Sequence, residues 1–188
     1  MTVRAHKPAF NIREKLKSLD YSHVPYEKMP GGSVIQVSEY KITNEASFSA
    51  ADFQTGYTHV ITPKSKKSKL VHHFWTKTYM ENNNENAGQD YRVIAGPASS
   101  SDSEKNTIIR AGWQNYFNRV DFSSDYYPPC DFIMVHEPNT TETYHYKFQG
   151  RLYAGAGGAD WTVGRTNMSG GDYSYGNRGF WIIYEVEQ

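Results

Sequence analysis

Between Thr141 and Ala154 the sequence reads TETYHYKFQGRLYA, with Tyr144, Tyr146, Phe148 and Leu152 on even positions and Thr143, His145, Lys147, Gln149 and Arg151 on odd ones. That period of two belongs to a strand with one packed face and one wet face. The last stretch, GFWIIYEVE from Gly179 to Glu187, sharpens the constraint. Phe180, Ile182, Tyr184 and Val186 share one face while Trp181 and Ile183 share the other, so both faces need cover. A strand of this kind sits centrally in a sandwich or at a contact between subunits, and it commits the chain to β-sheet.

Further strands are read at SVIQVSEYKI (33–42), YTHVIT (57–62), KLVHHFWTKTY (69–79), DYRVIAG (90–96), NTIIRAGW (106–113) and DFIMVHE (131–137), with TETYHYKFQGRLYA and GFWIIYEV completing the set. Asn, Gly, Ser and Pro crowd the connections NNNENAGQ, GPASSSDSE, SSDYYPP and GAGGAD. Strands in succession with no helix between them predict an all-β sandwich or barrel. No repeat of 20 to 50 residues marks a propeller or a solenoid. At 188 residues the chain has enough surface to bury for one core, and one domain is expected over residues 31–188.

Residues 1–30 read differently. Arg4, Lys7, Arg13, Lys15 and Lys17 outnumber Glu14 and Asp20, and Ile12, Leu16 and Leu19 recur at helical spacing. A short helix from Asn11 to Leu19 is too small to stand alone in water, so it must fold onto its own domain or serve as an attachment arm on another protein. Pro25, Pro30, Gly31 and Gly32 mark the boundary. The N-terminus has no continuous apolar run of the signal-peptide kind, and no 18 consecutive apolar residues occur anywhere, which predicts a soluble chain without membrane insertion.

The motifs MPGGSVIQV (29–37), ITPKSKKSKLVHHF (61–74), YHYKFQGRLYAGAG (144–157) and FWIIYEV (180–186), in that order, resemble a recurrent domain of tailed-bacteriophage virion proteins. The resemblance covers residues 29 to 187. It implies a jelly-roll sandwich of the tumour-necrosis-factor or complement globular-head type, forming a homotrimer on fibres, tails or capsid surfaces. Partners implied are the chain itself, other capsid, neck or tail proteins, and host-surface polysaccharide, with assembly in the bacterial cytoplasm and a final location in the virion. Phe180, Trp181, Ile182, Ile183 and Tyr184 are then the trimer-interface candidates, through either face of the last strand, and Ile12, Leu16 and Leu19 the attachment candidates. The segment Tyr79 to Asp90 and the aromatic run Trp113 to Tyr127 depart from the family pattern, being bulkier and more polar.

The charge balance, 20 basic against 20 acidic residues, argues against a nucleic-acid groove. A single cysteine, Cys130, precludes an intrachain disulfide and reads as a buried thiol. Seven histidines raise the question of a metal, but His72 and His73 are adjacent on a strand and point to opposite faces, as do His136 and Glu137. Only a symmetric ring of His72, His73 or His145 on a trimer axis would remain, and no metal or cofactor is expected. Asp121, Asp125, Asp131, Glu137, Asp160 and Asp172 show no paired spacing of a glycosidase kind, and no nucleophile elbow, phosphate loop or zinc motif occurs, so no enzymatic activity is expected. The aromatic share, 15%, is the compositional clue to function. Trp113, Tyr116, Tyr126, Tyr127, Trp161, Tyr173 and Tyr175 lie among Asn, Asp, Gly and Arg, a mixture suited to glycan or protein recognition, unless these rings pack beneath their own loops. Lys64, Lys66, Lys67 and Lys69 read as a solvated turn.

Overall fold

A computed structural model describes residues 29–49, 51–80, 89–113, 129–152, 161–165 and 178–188. Ten strands run through them: β1 (Val34–Lys41), β2 (Ala46–Phe48), β3 (Gln54–Ile61), β4 (Lys69–Met80), β5 (Gln89–Pro97), β6 (Asn106–Trp113), β7 (Pro129–His136), β8 (Tyr144–Leu152), β9 (Trp161–Val163) and β10 (Gly179–Val186). All eight stretches read from alternation are strands. The attachment candidates Ile12, Leu16 and Leu19 lie outside the described residues.

The strands form two antiparallel sheets. In the first, β1, β10, β4 and β7 lie side by side, with β9 and β2 continuing past the far end of β4; in the second the order is β3, β8, β5, β6. Except for the β5–β6 hairpin, each successive long strand crosses to the opposite sheet, which is the winding of a jelly roll. The fold class expected from the sequence is therefore the observed one. β10 occupies the central place predicted for it, between β1 and β4 in unbroken register from Gly179 opposite Thr76 to Val186 opposite Lys69.

Rings fill the space between the sheets. Phe74 of β4 stacks on Phe132 of β7 at 4.8 Å and on Phe148 of β8 at 5.0 Å, and Trp181 of β10 meets Phe74 edge-on at 5.6 Å. Such pairs add about 0.5–1.5 kcal/mol each beyond the area they bury. Tyr146, Phe148 and Leu152 are buried, as the even-face reading of β8 requires. On its odd face Gln149, expected in water, is also buried, because it accepts from Arg92 Nε (2.8 Å) and donates to Thr55 Oγ1 (3.0 Å) on neighbouring strands. Cys130 is buried and its thiol is pushed up by burial.

β2 and β9 escaped sequence reading because three residues are too few to show a period. Pairing builds them instead: Phe48 faces Trp161 across the β2–β9 ladder, with ring centroids 4.9 Å apart. Gly150 of β8 lies against this pair, and a Cβ there would come within 2.5 Å of the Trp161 ring and 2.8 Å of Phe48. A side chain at that position would displace both rings.

Two polar devices fix one end of the sandwich. Glu185 of β10 is wholly buried, and its Oε1 accepts from Lys64 N (2.7 Å), Ser65 N (2.9 Å) and Ser68 Oγ (2.7 Å). Gln36 donates its side-chain amide to Glu185 Oε2 at 3.0 Å and to the Thr62 carbonyl at 3.2 Å. The Ser- and Lys-rich turn thus folds its main-chain N–H groups onto a carboxylate, while its lysines 64, 66 and 67 stay exposed. At the same pole, Gly32 N donates to the Glu187 carbonyl (2.7 Å) and Glu187 N to the Ser33 carbonyl (3.0 Å), so the strand entering the sandwich and the strand leaving it are clamped together.

Candidate functional site

Residues of opposite character line the two outer faces. On the first sheet the ladder registers place Val37, Tyr184, Val71 and Val135 in one row across β1, β10, β4 and β7. Glu39, Ile182, His73 and Ile133 form the next row, and Lys41, Phe180, Trp75 and Asp131 the one after. Val34 pairs with Val186 at the other end. Exposure is 52% at Val34, 57% at Val37, 71% at Ile133 and 58% at Val135. Four strands about 4.8 Å apart and eight residues long at about 3.3 Å per residue give a face of roughly 500 Å². That footprint includes the charged margins, and its apolar middle is of the size at which a surface patch is often functional.

The face is ordered within itself. Phe180 meets His73 edge-on at 5.1 Å and stacks near Trp75 at 6.0 Å. Its charges lie at the margins: Glu39 and Lys41 on the β1 edge, Asp131 on the β7 edge, and a Lys69–Glu137 ion pair of 3.3 Å at one corner. The row Lys41–Phe180–Trp75–Asp131 therefore begins on a cation and ends on an anion, a pattern that complements itself when one copy's β1 edge meets another's β7 edge.

This geometry sorts the residues expected at a trimer contact. Phe180, Ile182 and Tyr184 lie half-buried on the outer face. Trp181 and Ile183 do not: both are wholly buried in the chain's own core, where Trp181 Nε1 donates to His72 Nδ1 at 3.2 Å. Trp161, expected on a recognition loop, is likewise in the core at 0% exposure, since β9 draws it between Phe48 and Phe148. Trp113 ends β6 opposite Gln89, with its side chain outside the described set. Tyr116, Tyr126, Tyr127, Tyr173 and Tyr175 lie outside the described residues.

The histidines divide by face. His72 and His59 are in the core with His136 half-buried beside them, and only His73 of the adjacent pair reaches the outer face, while His145 lies on the outer face of the second sheet. His59 Nε2 is 2.9 Å from Ser38 Oγ, and His136 Nδ1 is 2.8 Å from the Tyr146 hydroxyl. The second nitrogens of His59 and His72 are buried and have no hydrogen-bond partner among the described residues. Burial pushes His59 down to about 4, and lowers His72 well below the usual range, with the charges of His59 and His136 adding to the effect. Among the described residues no three His, Cys, Asp or Glu side chains converge on a metal-sized site. Of the loop carboxylates, Asp131 is exposed and Glu137 pairs with Lys69; Asp121, Asp125, Asp160 and Asp172 lie outside the described residues.

The outer face of the second sheet is mostly polar and basic, with Val60 as an exposed apolar residue beside His145. Arg92, Arg110 and Arg151 gather there around Phe53 and Asp90, a cluster that sequence reading missed because its members come from three strands and a turn.

Fold and faces together define a jelly-roll sandwich with one largely apolar outer sheet face and one mostly polar, basic one. No family model and no curated protein matches the chain. Solved structures do resemble it: the VP2 subviral particle of infectious bursal disease virus, with TM-score 0.40 and 12% identity over 82% of this chain and 38% of that one. The Gx strain of the same virus gives TM-score 0.39 and 12% identity over 82% and 38%. Its T=1 particles give 0.39 and 11% over 82% and 37%. The chain spans well under half the length of those chains.

Proposed function

We propose that the chain is a structural component of a virus particle, a small homotrimeric knob without catalysis. The three sandwiches pack through the outer faces of their first sheets, and the segment before residue 31 holds the knob to a capsid, neck or tail protein. The apolar face carries this reading: Val34, Val37, Ile133 and Val135 are exposed in a single copy and surround the Phe180–Ile182–Tyr184 row. A cyclic arrangement covers that face in every copy and closes, whereas a pair of copies joined edge to edge leaves one edge of each uncovered. Opposite charges at the ends of the Lys41–Asp131 row favour head-to-tail meeting of neighbouring copies. The order of phage-like motifs on a jelly-roll winding supports a virion setting.

Light scattering on the purified chain tests the assembly. Three times the chain mass is expected at micromolar concentration, falling to one for Ile133→Asp and Ile182→Asp. A wild-type monomer would end the proposal, and deletion of residues 1–28 is expected to release an intact trimer from particles.

A further inference from the structure

The basic face holds a feature that assembly does not use. Arg92 of β5 sits directly opposite Arg110 of β6 in the ladder, and Arg92 also faces Gln149 of β8. Like charges directly opposite one another on neighbouring strands are unfavourable unless something answers them. The answer present is partial. One oxygen, Asp90 Oδ2, accepts from Arg110 at 2.9 Å and from Arg151 Nε at 2.9 Å, and Arg151 Nη2 stands in ion-pair contact with it at 2.8 Å.

Arg92 shares in none of this. Its Nε donates to the neutral Gln149, and its guanidinium lies 4.1 Å from the centre of the Phe53 ring, with Arg151 at 4.5 Å and Arg110 at 5.6 Å from the same ring. Among the described residues, three cations and one carboxylate leave a local excess of two positive charges, whereas the whole chain is formally neutral. Burial first, and then the charges of Arg110 and Arg151, hold Arg92 below its usual range, against the pull of Asp90. Phe53, Asp90 and Gln149 fix the guanidinium groups in place, so their donors are set before any ligand arrives. The Arg110 side chain is 55% exposed and open to solvent.

We propose that Arg92, Arg110 and Arg151 form a binding site for the carboxylate or sulfate group of an acidic polysaccharide. Guanidinium groups present planar, paired donors that match such oxyanions. The same face carries Thr55, Thr58 and His145, side chains that pair with sugar hydroxyls, while Gln149 is buried and stays engaged with Arg92 and Thr55. Nucleic acid would need a long basic track; the cluster is a compact spot. Because the site is on the sheet opposite the assembly face, three copies would display it outward, and that multiplicity alone rests on the trimer reading.

Calorimetry on the full chain, with a sulfated oligosaccharide, a uronic-acid oligosaccharide, inorganic sulfate, neutral dextran and single-stranded DNA as probes, tests the assignment. Binding of at least one acidic oligosaccharide is expected, together with none of dextran. Arg110→Gln, chosen because that side chain is the most exposed of the three, is expected to weaken binding at least tenfold while the melting temperature stays near wild type. Arg110→Lys, which keeps charge but loses the fork, is expected to fall between. Equal affinity in wild type and Arg110→Gln overturns the proposal, as does binding of inorganic sulfate only. DNA bound as tightly as the oligosaccharide overturns the glycan assignment. Loss of glycan binding in a protein of trimeric mass would leave the assembly reading standing, and a monomer that binds glycan would do the reverse.

Discussion

Replacing Glu185 tests whether the terminal strand is locked by its acid. In Glu185→Leu the main-chain N–H groups of Lys64 and Ser65 lose their acceptor inside the protein, whereas Ser68 Oγ can still donate to the Ser65 carbonyl at 2.8 Å. Each stranded N–H costs about 1–3 kcal/mol. The leucine returns about 1–2 kcal/mol through burial of its own surface. A net loss of about 2.5 kcal/mol follows, and in a chain of this size that lowers the melting temperature by roughly 5–10 °C. Glu185→Gln keeps an oxygen for the two N–H groups but loses the charge and sets an amide nitrogen against the Gln36 amide, so about 1–2 kcal/mol is expected. Thermal and urea unfolding of the three proteins at pH 7 provides the measurement. The reasoning fails if the leucine variant melts within about 2 °C of wild type, or if glutamine does as much damage as leucine.

Acid is expected to unfold the sandwich from the inside. His59 and His72 are held neutral by burial, with folded values below the unfolded one of 6.5. Their contribution is complete above about pH 6.5 and drains away at roughly 1.4 kcal/mol per pH unit for each as pH falls, continuing for His59 to about pH 4. Urea midpoints at pH 7 and pH 5 measure this, and His59→Gln is expected to reduce the slope; stability unchanged over that interval would contradict it. Gly150→Ala is expected to cost about 1–3 kcal/mol by driving a methyl group into Trp161 and Phe48, read as a lower urea midpoint at unchanged slope. Tyr146→Phe is expected to cost about 1 kcal/mol by leaving His136 Nδ1 without its hydroxyl partner, and a neutral result would show that water replaces that hydroxyl.

The winding was within reach of sequence because each long strand carries its own signal: the alternation in β8 survives however the sheets are assembled. Which face of β10 looks inward was not. Trp181–Ile183 and Phe180–Ile182–Tyr184 are both apolar, and the choice is made by Glu185, which shares the first set's face and finds its donors in the turn at residues 64–68. Trp161 misled for the opposite reason. It sits in a short polar stretch that resembles a binding loop, and only the pairing of Phe48 opposite it, 113 positions away in the chain, brings it inside. The arginine cluster has no linear signature, since Arg92, Arg110 and Arg151 become neighbours only through the β8–β5–β6 order.

The clamp between Gly32, Ser33 and Glu187 has a practical consequence for anyone attaching cargo to this domain. A polypeptide joined ahead of the first strand and one joined behind the last would emerge side by side from a single corner. A reporter fused to the C-terminus would crowd anything joined ahead of β1, and the hairpin connecting β5 and β6 is no remote alternative, because Pro97 and Ile61 both lie opposite Tyr144 and so turn at that same pole.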